Sequence, residues 1–204
     1  MGWLVLGTIV LGLLLDTRGP EWGQAAASVL SWLALAWVLR RSSGVERRRL
    51  ALCVVIATLG ECFLSLVWGL YEYRLYNIPL FVPPGHALLF AWGVEAARTA
   101  PRWLPRATLV LVGALVALGA VTGSDTEAMM WFTVLAGFLV LGRRRRLYAT
   151  MFLLATTLEL AGTGLGAWWW HPEVPWLGLT SWNPALCAGV FYCILDVLVL
   201  KTAK

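Results

Sequence analysis

Charge is scarce in this chain. Asp, Glu, Lys and Arg make up only 13% of its 204 residues, whereas 60% are hydrophobic. A soluble domain of this size has too little interior for that much apolar surface, so the composition points to a polytopic membrane protein. Histidine is scarcer still: His86 and His171 are the only two. They form no His-x-x-x-His or Glu-x-x-His pair and occupy unlike places in the chain, so neither a metal nor a cofactor is expected. The four cysteines (Cys53, Cys62, Cys187 and Cys193) match no zinc spacing. All fall in apolar runs, where cysteine packs as a small hydrophobe. The N-terminus, Met1-Gly-Trp-Leu-Val-Leu, has no positive n-region and no clear small-residue cleavage site. It is expected to be a retained first span rather than a signal peptide. The net charge of +5 does not mark a nucleic-acid binder, because the arginines sit in short clusters between apolar runs.

Eight apolar runs can be marked, at about 2–15, 24–39, 50–70, 79–97, 106–122, 127–142, 147–168 and 184–200. Several, the first above all, are shorter than the ~20 residues a perpendicular helix needs, so a count of seven spans stays open. Charge sets their orientation. Arg40, Arg41 and Arg47–Arg49 lie between runs two and three. Arg98, Arg102 and Arg106 lie between four and five, Arg143–Arg146 between six and seven, and Lys201 and Lys204 after run eight. With eight spans, 14 of the 16 Lys and Arg fall on one side, and only Arg18 and Arg74 face the other. The expectation is a bacterial-type inner-membrane protein with both termini cytoplasmic.

Against that background two carboxylic acids stand out. Glu61 and Glu159 lie inside apolar stretches at matching places in the two halves. A carboxylate in hydrocarbon costs roughly 3 kcal/mol on insertion scales, so such a residue is a functional candidate by default. The segments after the two acids match as well. A Gly beside aromatics comes seven to ten residues later, then a proline-containing loop, then Pro84 or Pro184, then an acid near the far end of the next run, Glu95 or Asp196. From Glu61 to Pro84 is 23 residues and from Glu159 to Pro184 is 25. The pattern predicts an all-α integral membrane fold of about eight transmembrane helices. It would be built by 4+4 tandem duplication, with repeats at 1–104 and 105–204 related about the membrane normal.

In hydrocarbon the neutral acid is the favoured form, and a neutral carboxylic acid is a general acid. The plainer reading is a protonated Glu bonding between helices, to Thr58, Ser65, Thr157 or Thr163. Trp168-Trp169-Trp170 and Tyr71-x-Tyr73 come closely after the acids. Many of the 13 Trp are interfacial anchors, but three in a row point different ways, so some should face inward. An aromatic wall stabilises a carbocation through its π faces. His86, opening the fourth run, is placed to bond Glu61, and His171 reads as a loop residue near water. Glu95 and Asp196 lie near Arg98 and Lys201, with interfacial pairing or snorkelling the default. Gly162-x-x-x-Gly166 reads as a close-packing step.

The segment Glu159-Leu-Ala-Gly-Thr-Gly-Leu-Gly166-Ala-Trp168-Trp-Trp170-His-Pro172 resembles the small lycopene cyclase domains of bacteria and fungi, and Glu61 through Tyr73 resembles them less closely. The Glu-x-x-Gly-Thr-x-x-Gly run from Glu159 to Gly166 is also similar to the bacterial carotenoid hydratase family. The likeness covers roughly residues 58–97 and 156–197. It implies protonation of isoprenoid double bonds inside the membrane. Lycopene cyclases carry Pro-Leu-Glu-Glu where this chain has Pro84-Gly85-His86 and Pro184-Ala185-Leu186. The implied chemistry is therefore a related isoprenoid reaction.

Together these features predict a lipophilic cavity between the halves, opening toward the non-cytoplasmic leaflet. Its expected activity is acid-initiated cyclisation, hydration or isomerisation of an isoprenoid or carotenoid-like lipid. Glu61 and Glu159 are the candidate acid and partner. Tyr71, Tyr73 and Trp168 line the cavity, His86 and Asn183 serve as donors behind them, and Asp196 is counted with the binding residues. The expected partners are a lipophilic substrate and membrane lipids. A small lipid or metabolite transporter with a midplane acidic site fits the same pattern. The topology has its own test: reporter fusions after Gly123 should read outside and fusions after Arg146 inside. An outside signal after Arg146 contradicts the eight-span assignment.

Overall fold

The computed structural model describes residues 1–202 and is mostly helical. Eight α-helices stand where the eight apolar runs lie: α1 Gly2–Arg18, α2 Gly23–Arg41, α3 Gly44–Glu61, α4 Val82–Thr99, α5 Leu104–Thr122, α6 Ala128–Val140, α7 Arg145–Leu165 and α8 Ala188–Thr202. By length and composition, two helices are able to cross a membrane: Leu104–Thr122, and the continuous Gly44–Val67 formed by α3 and the π turn that extends it. Of the others, α1, α6 and α8 have 17, 13 and 15 residues, short of the ~20 of a perpendicular span.

Local chemistry explains the helix ends. Ser43 and Glu46 form a capping box at the start of α3, which satisfies two of its orphan N–H donors. Prolines stand in the first turns of α4 and α5, where a missing N–H costs nothing. Pro184 does not open α8 as the repeat pattern suggests, because α8 begins four residues later, at Ala188. The residues between are non-helical, and Pro184 follows Asn183 through a cis peptide bond.

The interior is built on α3, α4, α7 and α8, each packed against two of the others, with α1–α2 and α5–α6 as flanking pairs. Close approach is set by small residues. A β-carbon at Gly93 of α4 would lie 1.8 Å from the Met151 sulfur of α7, and one at Gly189 of α8 would lie 2.6 Å from the Phe152 ring. Met151, Phe152, Leu135 and Leu89 fill the layer around α7, and Leu35, Leu50, Leu88 and Val199 the layer around α3 and α4. The outside is apolar as well. Val110 and Val121 of α5, and Leu141 just after α6, are 73%, 88% and 81% exposed.

At one end of the bundle the connections are ordered. Two short antiparallel ribbons form there, β1 (Tyr71–Tyr73) with β2 (Trp168–Trp170) and β3 (Glu173–Val174) with β4 (Leu179–Thr180). The α5–α6 connection is latched to β4. Thr126 N–H donates to the Thr180 carbonyl at 3.0 Å, and Thr180 N–H to Thr126 Oγ1 at 2.9 Å. Beneath the latch, Ser181 Oγ and Cys187 Sγ donate to Glu127 Oε1 at 2.8 and 3.1 Å. Asp125 Oδ1 accepts the Ala128 N–H at 3.2 Å. Burial holds both carboxyls, Asp125 and Glu127, above their ordinary range.

That latch makes stability depend on pH. The folded chain binds protons at Asp125 and Glu127 more tightly than the unfolded chain does. Their stabilising contribution is therefore full below the ordinary carboxylate range, about pH 4, and is lost as pH rises above it. Melting temperature in detergent should decline over that window, and Asp125→Asn with Glu127→Gln should flatten the decline. An unchanged slope in the double variant would show that the latch is not the titrating element.

Candidate functional site

The site begins with a ribbon that joins the two halves of the chain. β1 pairs antiparallel with β2 in the register Tyr71↔Trp170, Glu72↔Trp169 and Tyr73↔Trp168. Side chains alternate along a strand, so Tyr71, Tyr73, Trp168 and Trp170 share one buried face, and Glu72 and Trp169 take the other. Tyr71 and Trp170 meet across the ribbon with ring centroids 4.7 Å apart, Tyr73 and Trp168 at 6.1 Å. Arg74 N–H to the Ala167 carbonyl and His171 N–H to the Leu70 carbonyl, both 2.9 Å, extend the ladder at its two ends.

The buried face of the ribbon delivers donors to both acids. Tyr71 and Tyr73 hydroxyls donate to Glu61 Oε2 at 2.8 and 2.6 Å. Trp168 and Trp170 indoles donate to Glu159 Oε2 at 2.8 and 3.0 Å. Each acid is thus held by the two inward residues of the strand after it. The spacings differ by one residue: the tyrosines are 10 and 12 residues after Glu61, the tryptophans 9 and 11 after Glu159. The extra residue is accommodated in a π turn, Cys62–Val67, which extends α3; a π turn is a one-residue insertion into an α-helix. Both chain segments then leave their helices through a glycine at positive φ, Gly69 at 73° and Gly166 at 75°, a conformation a side chain would strain.

The acids differ in their remaining partners. Glu61 also receives His86 Nε2 on Oε1 at 2.9 Å, so both of its oxygens are engaged and it faces the one imidazole of the site. Glu159 faces the two indoles and the Tyr192 hydroxyl, and none of the indole bonds uses its Oε1. Tyr192 bridges the two environments by stacking on His86, with ring centroids 4.7 Å apart. Among the described residues His86 Nδ1 is buried with no hydrogen-bond partner.

These groups open onto a cavity of about 350 Å³. Glu61, Glu159, His86, Tyr71, Tyr73 and Trp168 line it together with Trp170 and Tyr192. The rest of the wall is almost entirely apolar, from Leu13 of α1 to Phe191 and Leu198 of α8. Gly162 is one helical turn from Glu159, and a β-carbon there would lie 2.0 Å from the Trp168 ring. The Gly-x-x-x-Gly step therefore seats an indole rather than a neighbouring helix.

Two expected site residues lie elsewhere. Asn183 is not in the cavity wall; its Oδ1 accepts the Trp170 N–H at 3.0 Å and so fixes β2. Asp196 is fully buried, outside the cavity, and neither of its carboxyl oxygens has a partner among the described residues. The reason is helical phase. Leu195 and Leu198 face the cavity, and each helical residue turns about 100° from the last, which carries Asp196 away. His171 lies on the outer face of the ribbon, 3.4 Å from Glu72. No ion pair joins Glu95 to Arg98 among the described residues. Sequence reasoning missed Tyr192 as a lining group, although it is a polar residue within an apolar run.

The ribbon's alternation is testable within one tripeptide. Trp168→Phe and Trp170→Phe each leave a buried carboxyl short of a donor, which costs about 1–3 kcal/mol. Trp169→Phe removes no such bond and should leave unfolding in lipid or detergent nearly unchanged. Equal losses at all three positions would contradict the placement. In comparisons with known proteins, no family model, no curated sequence and no solved structure matches the chain.

Proposed function

We propose that this chain is an integral membrane enzyme that starts chemistry on an isoprenoid or similar alkene lipid by protonating it. In this reading all eight helices sit in the bilayer, and residues 1–104 and 105–204 are related four-helix halves. The membrane placement is supported by the apolar exterior of α5 and α6 and by the arginine clusters gathered at one end. The relation between the halves is supported by the two acid–ribbon units, which repeat one arrangement of acid, positive-φ glycine and inward aromatic pair.

One observation carries the chemistry: two carboxyl groups in different company face one apolar, aromatic-walled cavity. Glu159 has the arrangement of a proton donor. Its Oε2 is fixed by two indoles, it has no cationic partner within ion-pair distance among the described residues, and its other oxygen is free of the indole bonds. Protonation breaks the Glu159 O–H bond and forms a C–H bond at one alkene carbon, leaving a cation at the other. The faces of Trp168, Trp170 and Tyr71 stabilise that cation by their π quadrupoles. It is then quenched in one of two ways. A second double bond attacks, or none does, and a neighbouring C–H proton is lost to a carboxylate, which gives cyclisation or isomerisation. Alternatively water adds and releases a proton, which gives hydration. Glu61, held by two tyrosines and His86, is the group suited to take that proton. Tyr192, stacked on His86, lines the same cavity as both acids.

Glu159→Gln keeps the volume and the acceptor for both indoles but removes the transferable proton. Activity in membranes should fall by about 10²-fold or more, the range for losing a positioned general acid. The melting temperature should barely move, because a neutral amide costs no more to bury than a neutral acid. Glu61→Gln should also lower turnover, since it removes the proton acceptor. A fully active Glu159→Gln, or one that is inactive only because it fails to fold, makes Glu159 structural. Loss of lipid flux with no chemically altered molecule in either protein would indicate a transporter.

A further inference from the structure

A second cavity, of about 290 Å³, lies at the opposite end of the bundle from the ribbons, between the ends of α1, α2, α3 and α4. Three arginines line it: Arg41, Arg49 and Arg98. Other arginines at this end spend their donors on helix-end carbonyls. Arg47 donates to the Leu39 and Arg40 carbonyls, Arg145 to Gly142 and Arg146 to Ala100. The three in the cavity do not. Among the described residues none of them donates a hydrogen bond or forms a close ion pair. Arg49 Nε is buried without a partner. Arg41 lies over the Trp37 ring, 4.2 Å from its centroid, which fixes its guanidinium beside the opening.

Two acids share the cavity, Glu46 and Glu95. Glu46 is already committed, since its Oε2 accepts both the N–H and the hydroxyl of Ser43 in the α3 cap. Three arginines against two carboxylates leave a net positive charge, and Trp37, Phe90 and Val94 are among the apolar residues of the wall. A guanidinium fork matches phosphate oxygens two at a time. Among the described residues, no arginine or lysine lines the carboxyl-lined cavity at the other end.

We infer that this end of the bundle binds a phosphate group carried on an apolar chain, with the phosphate on Arg41, Arg49 and Arg98 and the chain along Trp37, Phe90 and Val94. Orientation rules place arginines at this end but do not gather around one pocket three that lack hydrogen-bond acceptors among the described residues. The inference does not rest on the chemistry proposed for the reaction cavity.

The test uses the full chain in neutral detergent, with dioleoyl phosphatidic acid and dioleoyl phosphatidylcholine as probes and native mass spectrometry as the readout. The wild type should retain phosphatidic acid over phosphatidylcholine. Arg49→Gln and Arg98→Gln should each weaken that retention by about tenfold, as expected for removing one charge-assisted hydrogen bond to phosphate. Arg145→Gln removes the same charge outside the pocket and should change nothing. Millimolar inorganic phosphate that displaces the lipid would show that the head alone suffices and that a soluble phosphate is a ligand. Failure of phosphate to displace it would assign the site to a lipid headgroup. Equal retention of the two lipids, or an Arg145→Gln loss as large as the other two, overturns the inference. Arg98 is exposed at its helix end, so its variant remains informative if Arg49→Gln disturbs folding.

Discussion

A carboxyl group carried into an apolar interior must be given hydrogen-bond donors there, and the arrangement of this chain comes from meeting that demand twice. Glu61 and Glu159 are satisfied from one ribbon, whose inward face supplies two phenol hydroxyls to the first and two indole N–H groups to the second. Because the donors stand on the strands after α3 and α7, neither acid is satisfied by its own helix alone. The loops after those helices must fold back over the bundle and pair with each other. The outer straps serve the same end: Asn183 holds the Trp170 backbone, and Arg74 ties β1 to Asp16 of α1.

Near symmetry with one difference is what gives the site two kinds of acid. The two halves share the positive-φ glycine and the inward pair of aromatics, and the π turn compensates for the single extra residue in the first half. The donors are unlike. Phenols and an imidazole surround Glu61, a set that itself can take and give protons. Among the described residues no imidazole bonds Glu159; its Oε2 bonds come from two indoles, which only donate. A pair of chemically distinct carboxyls in one cavity is what separates an acid from a base in a proton-initiated reaction.

Much of this was legible from residue order. The eight helices fall where the apolar runs do, because long runs with proline, glycine and arginine at their borders leave few other choices. Glu61 and Glu159 stand out as costly residues, and both line the cavity together with Tyr71, Tyr73, Trp168 and His86. The ribbon was not legible, because strands of three residues carry no periodic signal. The start of α8 was misplaced because Pro184 looks like Pro84, whereas Pro83 and Pro84 lie inside α4 and Pro184 lies four residues before Ala188, the first residue of α8. Asp196 was misjudged by phase: on a helix, one residue separates the cavity wall from a closed interior. Tyr192 was passed over because a single tyrosine in an apolar run resembles an interfacial anchor until its partner, His86, is placed beside it.

The central question is whether a proton from the protein ends on carbon. Membranes containing the chain, incubated in heavy water, exchange the carboxyl proton of Glu159 for deuterium. Lipids extracted from the purified protein are then compared by mass spectrometry between wild type and Glu159→Gln. Proton-initiated chemistry predicts a product with deuterium on carbon in the wild type and unlabelled, unreacted alkene in the variant. A bound lipid with the same mass and no label in both proteins would contradict it.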